Sequence, residues 1–240
     1  MSEEQTIQTP LWVQELDKYK ASKPIEDVAA DLGLKPEDII MLVANENPNG
    51  MSDKVKEAVS KAVFSLNRYP DADSYHLQKA IAEKYGVPQD WVVIGSGSSE
   101  LLGLAAQTVL SVGTTAIYPQ YSFSLYPMVA RLCGAETIEV PATDDYNADL
   151  QAMLDAIDSR TRLIFLTNPN NPTGTYLAEN DILQFLDQVP PNVMVLFDEA
   201  YVEFLEPALQ CDSVEMVRRH PNVMIARTFS KAYGLAGARG

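Results

Sequence analysis

Positive charge, sulfur and imidazole are all scarce in this chain. Its 18 Lys and Arg face 33 Asp and Glu, for a net charge of -15. A surface of that sign repels phosphodiester backbones and anionic headgroups, which argues against nucleic acid and membranes as partners. Cys133 and Cys211 are the only thiols, far apart and in no metal or redox spacing. Isolated thiols of this kind fit a reducing compartment, where they serve as small core residues. His76 and His220 are equally isolated and no HExxH string occurs, so no metal centre is expected. The polar start MSEEQTIQTPLWVQELDKYK lacks the apolar core of a leader, and no run is long enough to span a bilayer. A soluble, cytoplasmic protein is expected.

What is present is an ordinary globular composition, 46% hydrophobic over 240 residues, enough for one large domain or two small ones. Segments 91–95, 114–118, 136–140, 162–167, 193–197 and 223–227 are short, rich in Val, Ile and Phe, and bounded by turn residues. They read as buried strands. Helical patterns fall between them, at about 98–110, 123–132, 147–157, 178–188 and 213–219. Alternation of this kind predicts an α/β protein with a mostly parallel sheet covered on both faces. Upstream, 52–66 places Val55, Val59, Ala62, Val63 and Leu66 on one helical face, and 74–85 reads as a helix stopped by Gly86. A short helix is expected near 25–32.

The stretch TFSKAYGLAGARG at 228–240 sets an amine at Lys231, hydroxyls at Thr228 and Ser230, and a guanidinium at Arg239 among small residues. Only a neutral amine adds to a carbonyl, so an imine-forming lysine needs an uncrowded, partly desolvated place. The hydroxyls and the fork of Arg239 suit a phosphate. Taken alone, a Ser-Lys pair is more often a surface lysine beside a turn. The upstream residues change the balance. GSGSSE at 95–100 follows a strand pattern and opens a helix, which suits an anion, or else Ser98 simply caps the helix. NPNNPTG at 168–174 holds Asn171 between two prolines as a stiff donor, or forms a plain turn. Asp198 ends a strand, where its carboxylate can pair with a protonated pyridine nitrogen or cap a helix; Tyr201 can then reach the ring's phenolic oxygen. A phosphate-loop ATPase would also carry Asp-Glu after an apolar strand, but its GxxxxGK[ST] string is absent. Tyr121 can stack on a planar ring or fill partial core, and Tyr69 lies in what reads alone as a surface turn.

In this order the strings resemble those of fold-type I pyridoxal phosphate aminotransferases, and above all the histidinol-phosphate aminotransferase family. They are KPIEDVAADLG, LVANENPNG, RYPDADSYHLQKAIAEKYG, GSGSSELL, YPQYSF, NPNNPTG, LFDEAYVEF and TFSKAYGLAGARG, spread over nearly the whole chain. The resemblance implies a fold-type I large domain over 51–240, preceded by an N-terminal arm and part of a small domain over 1–50. It implies pyridoxal 5'-phosphate as cofactor, with Lys231 as its Schiff-base lysine and proton-moving base. Asp198 would partner the pyridine nitrogen, Asn171 and Tyr201 would donate to the ring oxygen, and Tyr121 would stack on the ring. The phosphate would meet the backbone amides of Ser98 and Ser99, the Ser230 hydroxyl, Arg239 and Thr228. Tyr69 would reach the phosphate of a neighbouring subunit, which implies a homodimer. The implied reaction exchanges an amino group between L-histidinol phosphate and 2-oxoglutarate, a step of histidine biosynthesis. A threonine-phosphate decarboxylase, an aromatic aminotransferase and a cofactor-binding remnant without turnover are the alternatives. Many relatives carry Asn and Asp where this chain has Ser96 and Ser99. They also continue beyond the position of Gly240 into more sheet and a C-terminal small domain with the substrate-gripping arginines. The 240 residues alone are therefore expected to form an incomplete domain with little turnover.

Overall fold

A computed structural model describes residues 8–16 and 23–239. The readings that touch 1–7, 17–22 and Gly240, namely part of the leaderless start, part of the 1–50 arm and the chain's end, lie outside the described residues.

Five of the six expected strands form. They are β1 (Thr115–Pro119), β2 (Glu136–Val140), β3 (Thr161–Thr167), β4 (Met194–Asp198) and β5 (Val223–Ala226). All pair in parallel, in the order β2-β1-β3-β4-β5. Central strands of such a sheet are buried on both faces, so their side chains are apolar in continuous runs rather than alternating. β3 shows this, with Leu163, Ile164, Phe165 and Leu166 all buried. Successive side chains still point to opposite faces. Leu163 and Phe165 pack with Leu102, Tyr126 and Val129, whereas Ile164 and Leu166 pack with Met153, Ile182, Phe185 and Met216.

The helices follow the predicted alternation. α1 (Leu11–Gln14), α2 (Ile25–Leu32), α3 (Asp53–Ala62) and α4 (Tyr75–Tyr85) precede the sheet. α5 (Ser98–Val109) and α6 (Leu125–Leu132) supply one core layer; α7 (Leu150–Asp155), α8 (Glu179–Leu186) and α9 (Ser213–Arg219) supply the other. Gly86 ends α4 at φ +63°, the left-handed stop expected of it. No described helix is long and apolar enough to cross a membrane.

Two expectations are corrected. Residues 92–95 pair with no strand among the described residues, and Trp91 closes a short 3-10 turn instead. Leu77 and Ile81 of α4 line, with Val92, Ile94, Val223 and Ile225, a groove of about 360 Å³ that separates this segment from β5. A sequence that suits a strand becomes one only when a neighbouring backbone takes its hydrogen bonds. The second correction concerns the apolar face at 52–66. The α-helix stops at Ala62 and continues as a 3-10 turn, and Val59, Val63 and Leu66 are exposed. Nothing among the described residues covers them.

Candidate active site

Strands β3, β4 and β5 end level with one another: Thr167 pairs with Asp198, and Asp198 with Ala226. Backbone hydrogen bonds carry that alignment one residue further, Asn168 N to Asp198 O at 3.0 Å and Glu199 N to Ala226 O at 2.8 Å. Open parallel sheets bind ligands outside the carboxyl ends of their strands, because the loops there converge from several directions. The chain leaving β1 carries Tyr121, that leaving β3 the NPNNPTG loop, that leaving β4 Asp198 and Tyr201, and that leaving β5 Thr228, Ser230 and Lys231. Residues separated by more than a hundred positions thus meet at one edge.

Asp198 is buried at the end of β4. Its Oδ2 accepts from the Tyr126 hydroxyl at 3.0 Å and its Oδ1 from the Ala200 backbone N–H at 3.1 Å. It caps no α-helix, since only a 3-10 turn at Val202–Phe204 follows. Burial pushes its carboxyl above the usual range, against the lowering effect of those two donors. A carboxyl raised in this way favours the folded state fully below its unfolded pKa, and that contribution is lost as pH rises through the folded pKa. Asp198→Asn removes the loss. The variant is expected to melt higher than the parent at neutral pH in the absence of ligand. Thermal scans should show the difference shrinking to nothing in acid. An equal difference at all pH values would contradict a charge-burial origin.

Lys231 lies half-buried in the loop after β5, with Nζ donating to Ala44 O at 2.9 Å and 5.6 Å from the centre of the Tyr201 ring. The Tyr201 hydroxyl accepts from Asn45 Nδ2 at 3.1 Å, and Asn47 Nδ2 donates to Ala232 O at 2.9 Å. The segment 44–47 is therefore laid directly over the lysine loop. Gly234 permits the approach: at φ +67°, a Cβ there would stand 2.3 Å from Gly50 O.

The GSGSS loop and Arg239 also meet. The Arg239 guanidinium donates to Ser96 O at 3.2 Å, and a Cβ built on Gly97 would lie 3.1 Å from its Nη2. Gly97, at φ +76°, is the N-cap of α5, so Ser98 is the first helical residue and makes no cap bond with its side chain. The amides of Ser98 and Ser99 are at the free end of that helix, where donors are unsatisfied and the dipole favours an anion. Thr228 and Ser230 are buried, with Thr228 Oγ1 accepting from Ser230 N at 3.1 Å.

Three expected residues remain, Asn171, Tyr121 and Tyr69. Asn171 makes no side-chain hydrogen bond among the described residues; the fixed amides of its loop are Asn168, bonded both ways to Leu177, and Asn170, which donates to Tyr121 O at 2.8 Å. Tyr121 sits at φ +54° with its ring half exposed beside Tyr146. Tyr69 is fully exposed at 101%.

Sequence reasoning missed Tyr126, Asn45, Asn47 and a buried ion pair. Glu199 is 1% exposed, and its Oε2 accepts from Arg227 Nε at 2.8 Å and from Ser213 Oγ at 2.8 Å. Arg227 also donates to Ser213 Oγ at 3.0 Å and to the Tyr85 hydroxyl at 2.9 Å. The pair ties the loop after β4 to the loop after β5. A charged residue on either side of the motif, Glu199 after Asp198 and Arg227 before Thr228, was the available signal.

An open parallel α/β sheet with an amine, a buried carboxyl and a guanidinium at its carboxyl edge defines a class of ligand-binding enzyme domain. Residues 37–240 match the profile of the family described as aminotransferase class I and II. The chain belongs to that family. It is 45% identical to histidinol-phosphate aminotransferase 2 of Nitrosospira multiformis over 96% of its own length and 58% of that protein's. It is 47% identical to histidinol-phosphate aminotransferase 2 of Ralstonia nicotianae, over 96% and 61% of the two chains. The crystal structure of histidinol-phosphate aminotransferase from Sinorhizobium meliloti in complex with pyridoxal-5'-phosphate superposes with a TM-score of 0.87 at 29% identity, covering 99% of this chain and 63% of that one. The chain thus spans about three-fifths of the length of the curated relatives it matches.

Proposed function

We propose that this chain is the cofactor-binding part of an aminotransferase that moves an amino group between L-histidinol phosphate and 2-oxoglutarate. The observation that carries the reading is that β4 and the loop after β5 carry Asp198 and Lys231 to the carboxyl edge of the sheet, with Lys231 beside Tyr201, while Arg239 lies against the GSGSS loop. Pyridoxal phosphate fits these residues on three counts. Asp198 is a buried carboxyl with a pKa raised by burial, and a protonated ring nitrogen would supply the missing countercharge. The start of α5 and Arg239 offer backbone amides and a guanidinium side by side for a phosphate. Lys231 presents a primary amine beside the Tyr201 ring.

When bound, the cofactor supplies an electron sink for the carbanion left by loss of the substrate Cα proton. Lys231 would bond its aldehyde and then hold the proton taken from Cα. Asp198 would keep the pyridine nitrogen protonated, Asn171 and Tyr201 would donate to the ring oxygen, and Tyr121 would cover one ring face. Ser98, Ser99, Thr228, Ser230 and Arg239 would hold the phosphate, with Tyr69 reaching the site of a second copy in a homodimer. The exposed apolar side chains of Val59, Val63, Phe64 and Leu66 near Tyr69 support an interface there. Free Cys133 and Cys211 support a cytoplasmic location, and residues 51–240 are read as the cofactor-binding large domain, incomplete at its C-terminal end.

Titration with pyridoxal phosphate tests the reading. A visible absorbance band should appear at one equivalent per chain, and in a version extended to the full length of the relatives L-histidinol phosphate with 2-oxoglutarate should then yield glutamate. A chain that gives no band, or that releases carbon dioxide from threonine phosphate without amino transfer, is not this enzyme.

A further inference from the structure

Tyr126 belongs to none of the sequence motifs, yet its hydroxyl donates directly to the Asp198 carboxylate. It stands in the first turn of α6 and is fully buried. Its ring lies flat on Phe165, with centroids 4.7 Å apart at an interplanar angle of 10°, and Phe123 meets its edge at 5.8 Å. A phenol clamped on two sides by aromatic rings has little freedom to turn its hydroxyl away. Ala200 N occupies the other oxygen of Asp198, so each oxygen carries one donor. A carboxylate offers about four lone-pair sites, which leaves room for one further donor.

We propose that Tyr126 is a positioning residue that keeps Asp198 ionised and turned to receive the protonated ring nitrogen of the cofactor. The inference rests on the function proposed above. The proton between ring nitrogen and carboxyl can sit on either partner. A hydrogen bond to the carboxylate stabilises the ionic arrangement, with the proton on nitrogen, over the neutral one. Tyr126 is suited to remain the donor: burial first, and then the Asp198 charge, raise its own pKa well above the usual tyrosine value. Thr167 at the end of β3 and Tyr201 after β4 are the other side chains that act on the Tyr126 hydroxyl.

The consequence is read in the cofactor spectrum. A protonated ring withdraws electrons and acidifies the lysine-bound nitrogen. Without the Tyr126 hydroxyl the ring proton shifts towards Asp198, the withdrawal weakens, and that nitrogen holds its proton to higher pH. In the cofactor-loaded protein, Tyr126→Phe should raise the pH midpoint of the visible band by about one unit, a tenfold change equal to about 1.4 kcal/mol. Incorporation of 3-fluorotyrosine at position 126 supplies a stronger donor of nearly the same shape and should lower the midpoint. A residue with only a packing role would change the melting temperature and leave both midpoints in place. Midpoints unmoved in either variant, with a normal band in the parent, overturn the inference alone; no band in the parent overturns the proposed function and the inference with it. Should Tyr126→Phe fail to fold, the fluorotyrosine shift decides: a fall supports the inference and an unmoved midpoint ends it.

Discussion

Lys231→Ala is expected to abolish the visible band that pyridoxal phosphate gives on binding. The methyl group that remains can neither bond an aldehyde nor carry a proton. The fold should survive, because the lysine contributes one hydrogen bond to Ala44 O and one approach to the Tyr201 ring. Losses of that kind cost about 1 kcal/mol. The contacts proposed for the ring nitrogen and the phosphate do not involve Lys231, so the variant should still take up the cofactor weakly and release it on dialysis. Borohydride reduction followed by mass measurement separates the two cases, since the parent should retain the reduced adduct and the variant should not. An unchanged band in Lys231→Ala would move the covalent role to another lysine.

Arg227→Ala should have the largest effect on stability. Among the described residues, it leaves the Glu199 carboxylate, 1% exposed, with only the Ser213 hydroxyl as a side-chain hydrogen-bond partner. Breaking a buried pair from one side costs about 3–5 kcal/mol, because the surviving charge is uncompensated. A melting temperature lower by on the order of 10 °C is expected for a domain of this size. Burial already raises the Glu199 carboxyl, with Arg227 acting against it. Burial acts to lower Arg227 as well, and the Glu199 charge and hydrogen bond carry it above its usual value. Without Arg227 the Glu199 pKa rises further. A raised carboxyl keeps its stabilising contribution below the unfolded pKa and loses it as pH climbs through the folded pKa. The deficit of Arg227→Ala should therefore be small in acid and grow towards neutrality. Replacing both residues, as Glu199→Gln with Arg227→Met, should recover most of the lost stability. A double variant as unstable as the single one would show that lost packing, rather than stranded charge, is responsible.

The sheet was readable because burial on both faces leaves a plain mark, short runs of Val, Ile, Leu and Phe at regular intervals. Five such runs became strands in the expected places. The run at 91–95 carries the same mark and stays unpaired among the described residues, since pairing depends on a partner backbone and not on the segment's own side chains. The helical face at 52–66 failed for the same reason: apolar spacing shows what a helix offers, and a neighbour must exist to accept it.

At the site, motifs marked the residues whose chemistry is unusual in kind, an amine among small residues, an Asp at a strand end, a glycine-rich loop before a helix. Their supports carried no such mark. Tyr126 reads as an ordinary core aromatic of α6, and only the stacking of β3 beneath it and the end of β4 beside it turn its hydroxyl onto Asp198. Asn45 and Asn47 lie over 150 positions from Tyr201 and Ala232, and the loop that brings them together depends on a bare Gly234 against Gly50.

The amino-acid order by itself determined the layered α/β architecture and singled out the candidate reactive groups, because periodicity and rare local strings are properties of neighbours along the chain. Only the tertiary structure decided which carboxylate oxygen faces which donor, that Glu199 and Arg227 lock two loops together, and that one strand-like segment goes unpaired. Those outcomes depend on distances between residues remote in the polymer, which parallel pairing sets and no local pattern encodes.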